Sequence, residues 1–91
     1  MSKVFIDGHV FDTDKARWTA SLDYVDANSN LHTGRAYRSS TGIFYVYTPS
    51  QWGNMHSWII MSPKEILDAY GEYLSEDEAD YVIAAGKIQV E

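Results

Sequence analysis

The 91-residue chain contains no cysteine, so disulfides, thiolate metal sites and cysteine nucleophiles are excluded by inventory. Three histidines and the carboxylates are the remaining side chains suited to metal binding. Prolines number two, and the six glycines stand singly without a Gly-x-Gly pair, which leaves no phosphate-cradling glycine loop. None of the fourteen Ser and Thr residues sits in a Gly-x-Ser-x-Gly elbow. No apolar run approaches the roughly 18–20 residues of a membrane span. The opening segment carries Asp7 and His9 rather than a continuous apolar stretch, unlike a signal peptide. Together these absences predict a cytoplasmic, non-enzymatic protein that needs no cofactor.

What is present predicts one folded domain over residues 1–91. Apolar residues make up 45% and aromatics 14% of the chain, too hydrophobic for the disordered class and short enough for a single core. The net charge of −6 is unevenly placed. Through Met61, five acids face five bases; beyond it, eight acids face only Lys64 and Lys87. The last third is therefore strongly negative, which favours basic surfaces and disfavours nucleic acid phosphate.

Local signals predict an α+β fold with an antiparallel sheet of about three long strands plus an N-terminal hairpin. Lys3-Val4-Phe5-Ile6 and His9-Val10-Phe11 flank Asp7-Gly8, a two-residue turn pattern. Asp12 offers a cap, and residues 13–22 lack Gly and Pro, with Trp18 and Leu22 four apart; this predicts one helix after the hairpin. Residues 31–38 and 43–48 read as strands joined by Ser39-Ser40-Thr41-Gly42, and residues 56–61 as a third. Ile43-Phe44-Tyr45-Val46-Tyr47 is apolar on both faces and suits a central strand. Ser62-Pro63-Lys64-Glu65 and Ser75-Glu76-Asp77-Glu78 are capping boxes that predict two C-terminal helices. The second is expected to close at Gly86, with a short strand over 87–90.

Candidate sites are few. Asp26, Asn28 and Asn30 match the start of a calcium loop, but Leu31 and Tyr37 stand where Gly and Glu are required. His9, His32 and His56 show no short ligand spacing, so no metal site is expected. Glu65, Asp68, Glu72, Glu76, Asp77 and Asp80 form a candidate acidic band on the last two helices. Trp52 on a loop, with Tyr37, Arg35 and Tyr47 on the sheet, adds candidate interface anchors. Three arginines and four lysines are few for neutralising phosphates, so a protein partner with a basic surface is expected over direct nucleic acid binding. Either a monomer or a homodimer fits.

The motif order resembles a widespread group of small phage, plasmid and integrative-element proteins. Their opening Ile-Asn-Gly-Lys-x-Tyr-Asp-Thr-x-Thr-Ala segment is similar to Ile6-Asp7-Gly8-His9-Val10-Phe11-Asp12-Thr13-Asp14-Lys15-Ala16. Their Leu-Tyr-Arg-x-x-x-Gly-x-Phe-Phe-Leu hairpin resembles Ala36-Tyr37-Arg38-Ser39-Ser40-Thr41-Gly42-Ile43-Phe44-Tyr45-Val46, and their Pro-Leu-Ser-x-x-Glu-Ala helix start resembles Ile60-Met61-Ser62-Pro63-Lys64-Glu65-Ile66. Phe11 and Lys15 depart from the usual Tyr and Thr. The resemblance implies a mobile-element origin and, by that context, an inhibitor of host defence such as an anti-CRISPR protein that blocks an RNA-guided effector by nucleic acid mimicry. A nucleic-acid-binding or regulatory module using Arg35, Tyr37 and Arg38, or a self-associating structural protein, are the alternatives.

Overall fold

The computed structural model describes residues 2–49 and 57–90. Strands β1 (Lys3–Ile6) and β2 (His9–Asp12) form the opening hairpin. Asp7 and Gly8 both take positive φ, 47° and 81°, as the tight turn that matches strand twist requires. Val4, Ile6 and Phe11 then point to one face, while Phe5 and Val10 point out to solvent.

The helix expected over 13–22 is replaced by one 3-10 turn, Thr13–Lys15, followed by strand β3 (Trp18–Ser21). Asp12 does cap that turn, accepting from the Asp14 amide. The physical reason lies in the spacing. Trp18 and Leu22 lie on one face of a strand as well as of a helix, and Ala20 between them is buried too, giving the period of two that a strand needs. Pairing with β6 (Arg35–Arg38) satisfies the backbone of β3.

The expected strand over 31–38 is also divided. Its start, β5 (Leu31–His32), pairs with β4 (Tyr24–Val25) in a separate small hairpin. The main sheet is antiparallel, in the order β3, β6, β7 (Phe44–Tyr47), β8 (Trp58–Ile60). The architecture is thus α+β with eight strands in three sheets and two α-helices among the described residues, correcting the expected total of three helices, one after the hairpin and two C-terminal, and the sheet of about three long strands. No strand forms over 87–90.

Helices α1 (Pro63–Tyr70) and α2 (Glu76–Gly86) begin at Ser62 and Ser75, each with a complete capping box. A 3-10 turn, Gly71–Tyr73, links them. The helices cover one face of the sheet, where Leu22, Ala36, Phe44, Val46, Met61, Ile66 and Val82 form the larger core. The hairpin covers the other face, where Val4, Ile6 and Phe11 enclose Tyr45. Strand β7 is therefore buried on both sides.

Gly86 does not close α2. It is the last helical residue, and Lys87 takes the left-handed conformation at φ 52°. A Cβ on Gly86 would stand 2.7 Å from Pro63 Cβ, so glycine is there to let the two helices approach. Gly86→Ala is expected to lower stability by about 1 kcal/mol or more, against the roughly 1 kcal/mol gain that helix propensity alone gives. Ser62→Ala is expected to cost about 1 kcal/mol through loss of its cap. Denaturant unfolding of the two variants measures both.

Candidate functional site

The acidic layer follows from the way α1 and α2 bury their apolar sides. Ile66 and Val82 enter the core, with Leu67, Tyr70, Tyr81 and Ala85 partly buried around them. Glu65, Asp68, Glu72, Glu76, Asp77 and Asp80 are all exposed. They are not equivalent in what they do locally. Glu65 Oε1 accepts the Ser62 amide at 3.0 Å, and the Ser62 backbone N–H, then its hydroxyl, hold this carboxyl below its ordinary range. Glu76 and Asp77 lie in the first turn of α2, where the helix dipole favours negative charge. Asp68 instead lies in the last turn of α1, which holds no basic residue, and Glu72 lies in the first turn of the 3-10 link. Among the described residues neither they nor Asp80 make an ion pair.

The sheet residues behave differently. Arg35, Tyr37 and Tyr47 share the hairpin-side face by register with Tyr45, Ile60 and Trp58. Tyr37 stacks on Tyr45 at 5.1 Å between ring centroids, and Tyr47 packs tilted on Trp58 at 4.7 Å. Phe11 of the hairpin stacks on Tyr45 at 4.3 Å. Tyr37 and Tyr47 are thus half-buried members of a ring cluster, while Arg35 stays exposed and donates to Thr19 Oγ1. Trp52 and His56 lie outside the described residues.

Two features were not expected from the sequence as functional positions. The first is the loop 26–30. Asp26 Oδ1 accepts the backbone amides of Asn28 and Asn30, at 2.8 and 3.0 Å, and Oδ2 meets His32 Nε2 at 2.8 Å. The Asp-x-Asn-x-Asn spacing that resembles a calcium loop thus serves a turn built around one carboxylate. His32, nearly buried, stacks on Tyr24 at 4.7 Å, and Tyr24 stacks on Tyr73 at 5.0 Å. The small hairpin is so tied to the link between α1 and α2. The second is a cleft between β2 and the 39–43 turn, lined by His9, Lys15, Ser40 and Thr41 among others. Its walls come from segments too far apart in sequence for spacing to reveal it.

Tyr45 is fully buried, and its hydroxyl has no hydrogen-bond partner among the described residues. Burial, with smaller effects from Tyr37 and Asp12, pushes its pKa up to about 12. Among the described residues no three His, Asp or Glu side chains gather as a metal site, and no helix is long and apolar enough to cross a membrane.

Tyr45→Phe keeps the ring stacking and removes an unsatisfied hydroxyl, so unfolding free energy should stay the same or rise by up to about 1–2 kcal/mol; a fall in stability would mean the hydroxyl is bonded in solution. The His32 contact, followed by the Asn30 amide, lowers the Asp26 pKa from 3.8 to about 2. A depressed carboxyl pKa gives stability that is present above the unfolded value and lost as pH falls through the folded one. Thermal melts from pH 5 to 2 should therefore fall more steeply for the native chain than for Asp26→Asn.

No protein-family profile, curated protein or solved structure matches this chain.

Proposed function

We propose that this chain is a non-enzymatic binding protein that places the exposed acids of its two-helix layer against a basic surface of a protein partner. In its narrower form, the partner is a host defence complex, and the chain is a mobile-element inhibitor of the anti-CRISPR kind. It occupies a surface of an RNA-guided effector that would otherwise hold nucleic acid phosphate. The narrower form draws on the motif resemblance; the broader one draws on charge placement.

The observation that carries the reading is the position of Asp68. Negative charge at a helix C-terminus opposes the dipole by several tenths of a kcal/mol, and the last turn of α1 holds no basic residue. Caps and first-turn acids stabilise the helices that bear them, so their presence needs no partner. Asp68 sits where the dipole disfavours it, and a binding role supplies the compensation. Clustered charge of one sign also speeds encounter with an oppositely charged surface. The alternative of a nucleic acid platform at Arg35, Tyr37 and Tyr47 is less favoured, because both tyrosine rings are engaged in packing.

The test is a triple variant, Asp68→Asn, Glu72→Gln and Asp80→Asn. Its stability should stay within about 0.5 kcal/mol of the native chain or improve, since these are surface positions. In cells carrying an active CRISPR system, the native chain should protect an invading phage and the triple variant should lose most of that protection. Full protection by the variant would end the electrostatic account. No protection by the native chain against any effector tested would end the narrower reading while leaving a different basic partner to be sought.

A further inference from the structure

The cleft between β2 and the 39–43 turn has a volume of about 360 Å³, within the range of small-ligand sites. Its hydrogen-bonding inventory is one-sided, and the reason lies in how the turn is held. Ser39 O accepts from the Gly42 amide at 3.0 Å. Ser40 O accepts from Arg17 Nη2, and Gly42 O accepts from Arg38 Nε at 3.2 Å. The turn's acceptors are thus largely satisfied by the fold, two of them by guanidinium groups that also bring positive charge close behind the turn.

Of its donors, the Ser39, Gly42 and Ile43 amides bond within the turn, and the Ser39 and Thr41 hydroxyls pair with each other. The backbone amides of Ser40 and Thr41 and the Ser40 hydroxyl have no partner among the described residues. Also lining the cleft, the Lys15 ammonium and the His9 ring nitrogens make no hydrogen bond or ion pair among the described residues. His9 is held only by its ring, stacked on Phe11 at 5.7 Å. Asp12 is the one carboxylate lining the cleft, and its Oδ1 already accepts the Asp14 amide. Val10 and Ile43 add an apolar wall. Unpaired donors and a free ammonium lining one cleft suit an oxyanion, since charge-assisted hydrogen bonds are the strong ones. An apolar wall suits the body that carries it.

The geometry points to a binding site for a small organic phosphate, with Lys15, His9 and the Ser40-Thr41 edge of the turn holding the phosphate oxygens and Val10 and Ile43 contacting the carbon body. This site is separate from the acidic helical layer and does not depend on the function proposed for it. It also places the Arg17 and Arg38 contacts in a supporting role. By turning the Ser40 and Gly42 carbonyls toward themselves, the guanidiniums fix the turn that presents the donors.

The test uses ¹⁵N-labelled protein titrated with phenyl phosphate, inorganic phosphate and benzoate, reading amide shifts. Phenyl phosphate should shift the Ser40, Thr41 and Lys15 amides saturably, and more tightly than inorganic phosphate. Lys15→Ala and His9→Gln, both at exposed positions, should each weaken binding about tenfold with thermal melting unchanged. Lys87→Ala removes the same charge outside the cleft and should leave binding as it is. Absence of saturable shifts at those amides overturns the site, as does unchanged affinity in the Lys15→Ala and His9→Gln variants. Benzoate binding as tightly as phenyl phosphate overturns the phosphate assignment, and inorganic phosphate binding as tightly as phenyl phosphate overturns the role given to Val10 and Ile43.

Discussion

The burial of strand β7 on both faces is the constraint from which the rest of the molecule follows. Phe44 and Val46 face the helices and Tyr45 faces the hairpin, all three at 4% exposure or less. Each such side chain gains roughly 1.5–3 kcal/mol on leaving water, but only if something covers it. A four-stranded sheet alone leaves both faces open, so the hairpin and the helix pair are both obligatory. Phe11 supplies the hairpin's contribution by stacking on Tyr45. Ile66 and Val82 supply the helices' contribution. Tyr45 also shows the limit of this packing: its ring is fully enclosed while its hydroxyl is left without a partner among the described residues.

Features whose chemistry is complete within about four residues were legible in the sequence. The Asp7-Gly8 turn and the capping boxes at Ser62 and Ser75 are of this kind, because donor and acceptor lie within the same short segment. The two-sided strand at Phe44–Tyr47 was legible for a different reason: its apolar residues admit no solvent face. Residues 13–22 were misread because Trp18 and Leu22 fit both helical and strand spacing, and only the partner strand, some twenty residues on, decides between them. The role of Gly86 was equally hidden, since its close neighbour Pro63 lies on another helix.

The candidate sites divide along the same line. Exposure of the acids could be read from helical periodicity, because the apolar stripe of each helix fixes where the polar residues go. How far Tyr37 and Tyr47 are covered could not, because it depends on Trp58 and on a hairpin that begins more than thirty residues earlier. The loop at Asp26 illustrates a third case. Its residue spacing was visible, but the same oxygens serve a turn and a histidine rather than an ion, and only geometry distinguishes those uses.

Charge placement has a consequence beyond the count of acids and bases. All three arginines donate hydrogen bonds to other parts of the fold: exposed Arg17 to the Ser40 carbonyl, exposed Arg35 to Thr19, and part-buried Arg38 to the Gly42 carbonyl and the Tyr81 hydroxyl. Arg38 also lies over the Phe44 and Tyr81 rings, 5.2 and 5.7 Å from their centroids. A guanidinium fixed in this way keeps its charge but gives up the reach needed to follow a phosphate backbone. Among the described residues, the helical acids are held by no such contacts, apart from the capping carboxylates of Glu65 and Glu78. Though the first two-thirds of the chain is formally neutral, its strongest cations serve the architecture while the anions of the last third remain free to meet a partner. That division of labour is why the acidic layer, and not the arginine-bearing sheet, is the better candidate for recognition by another macromolecule.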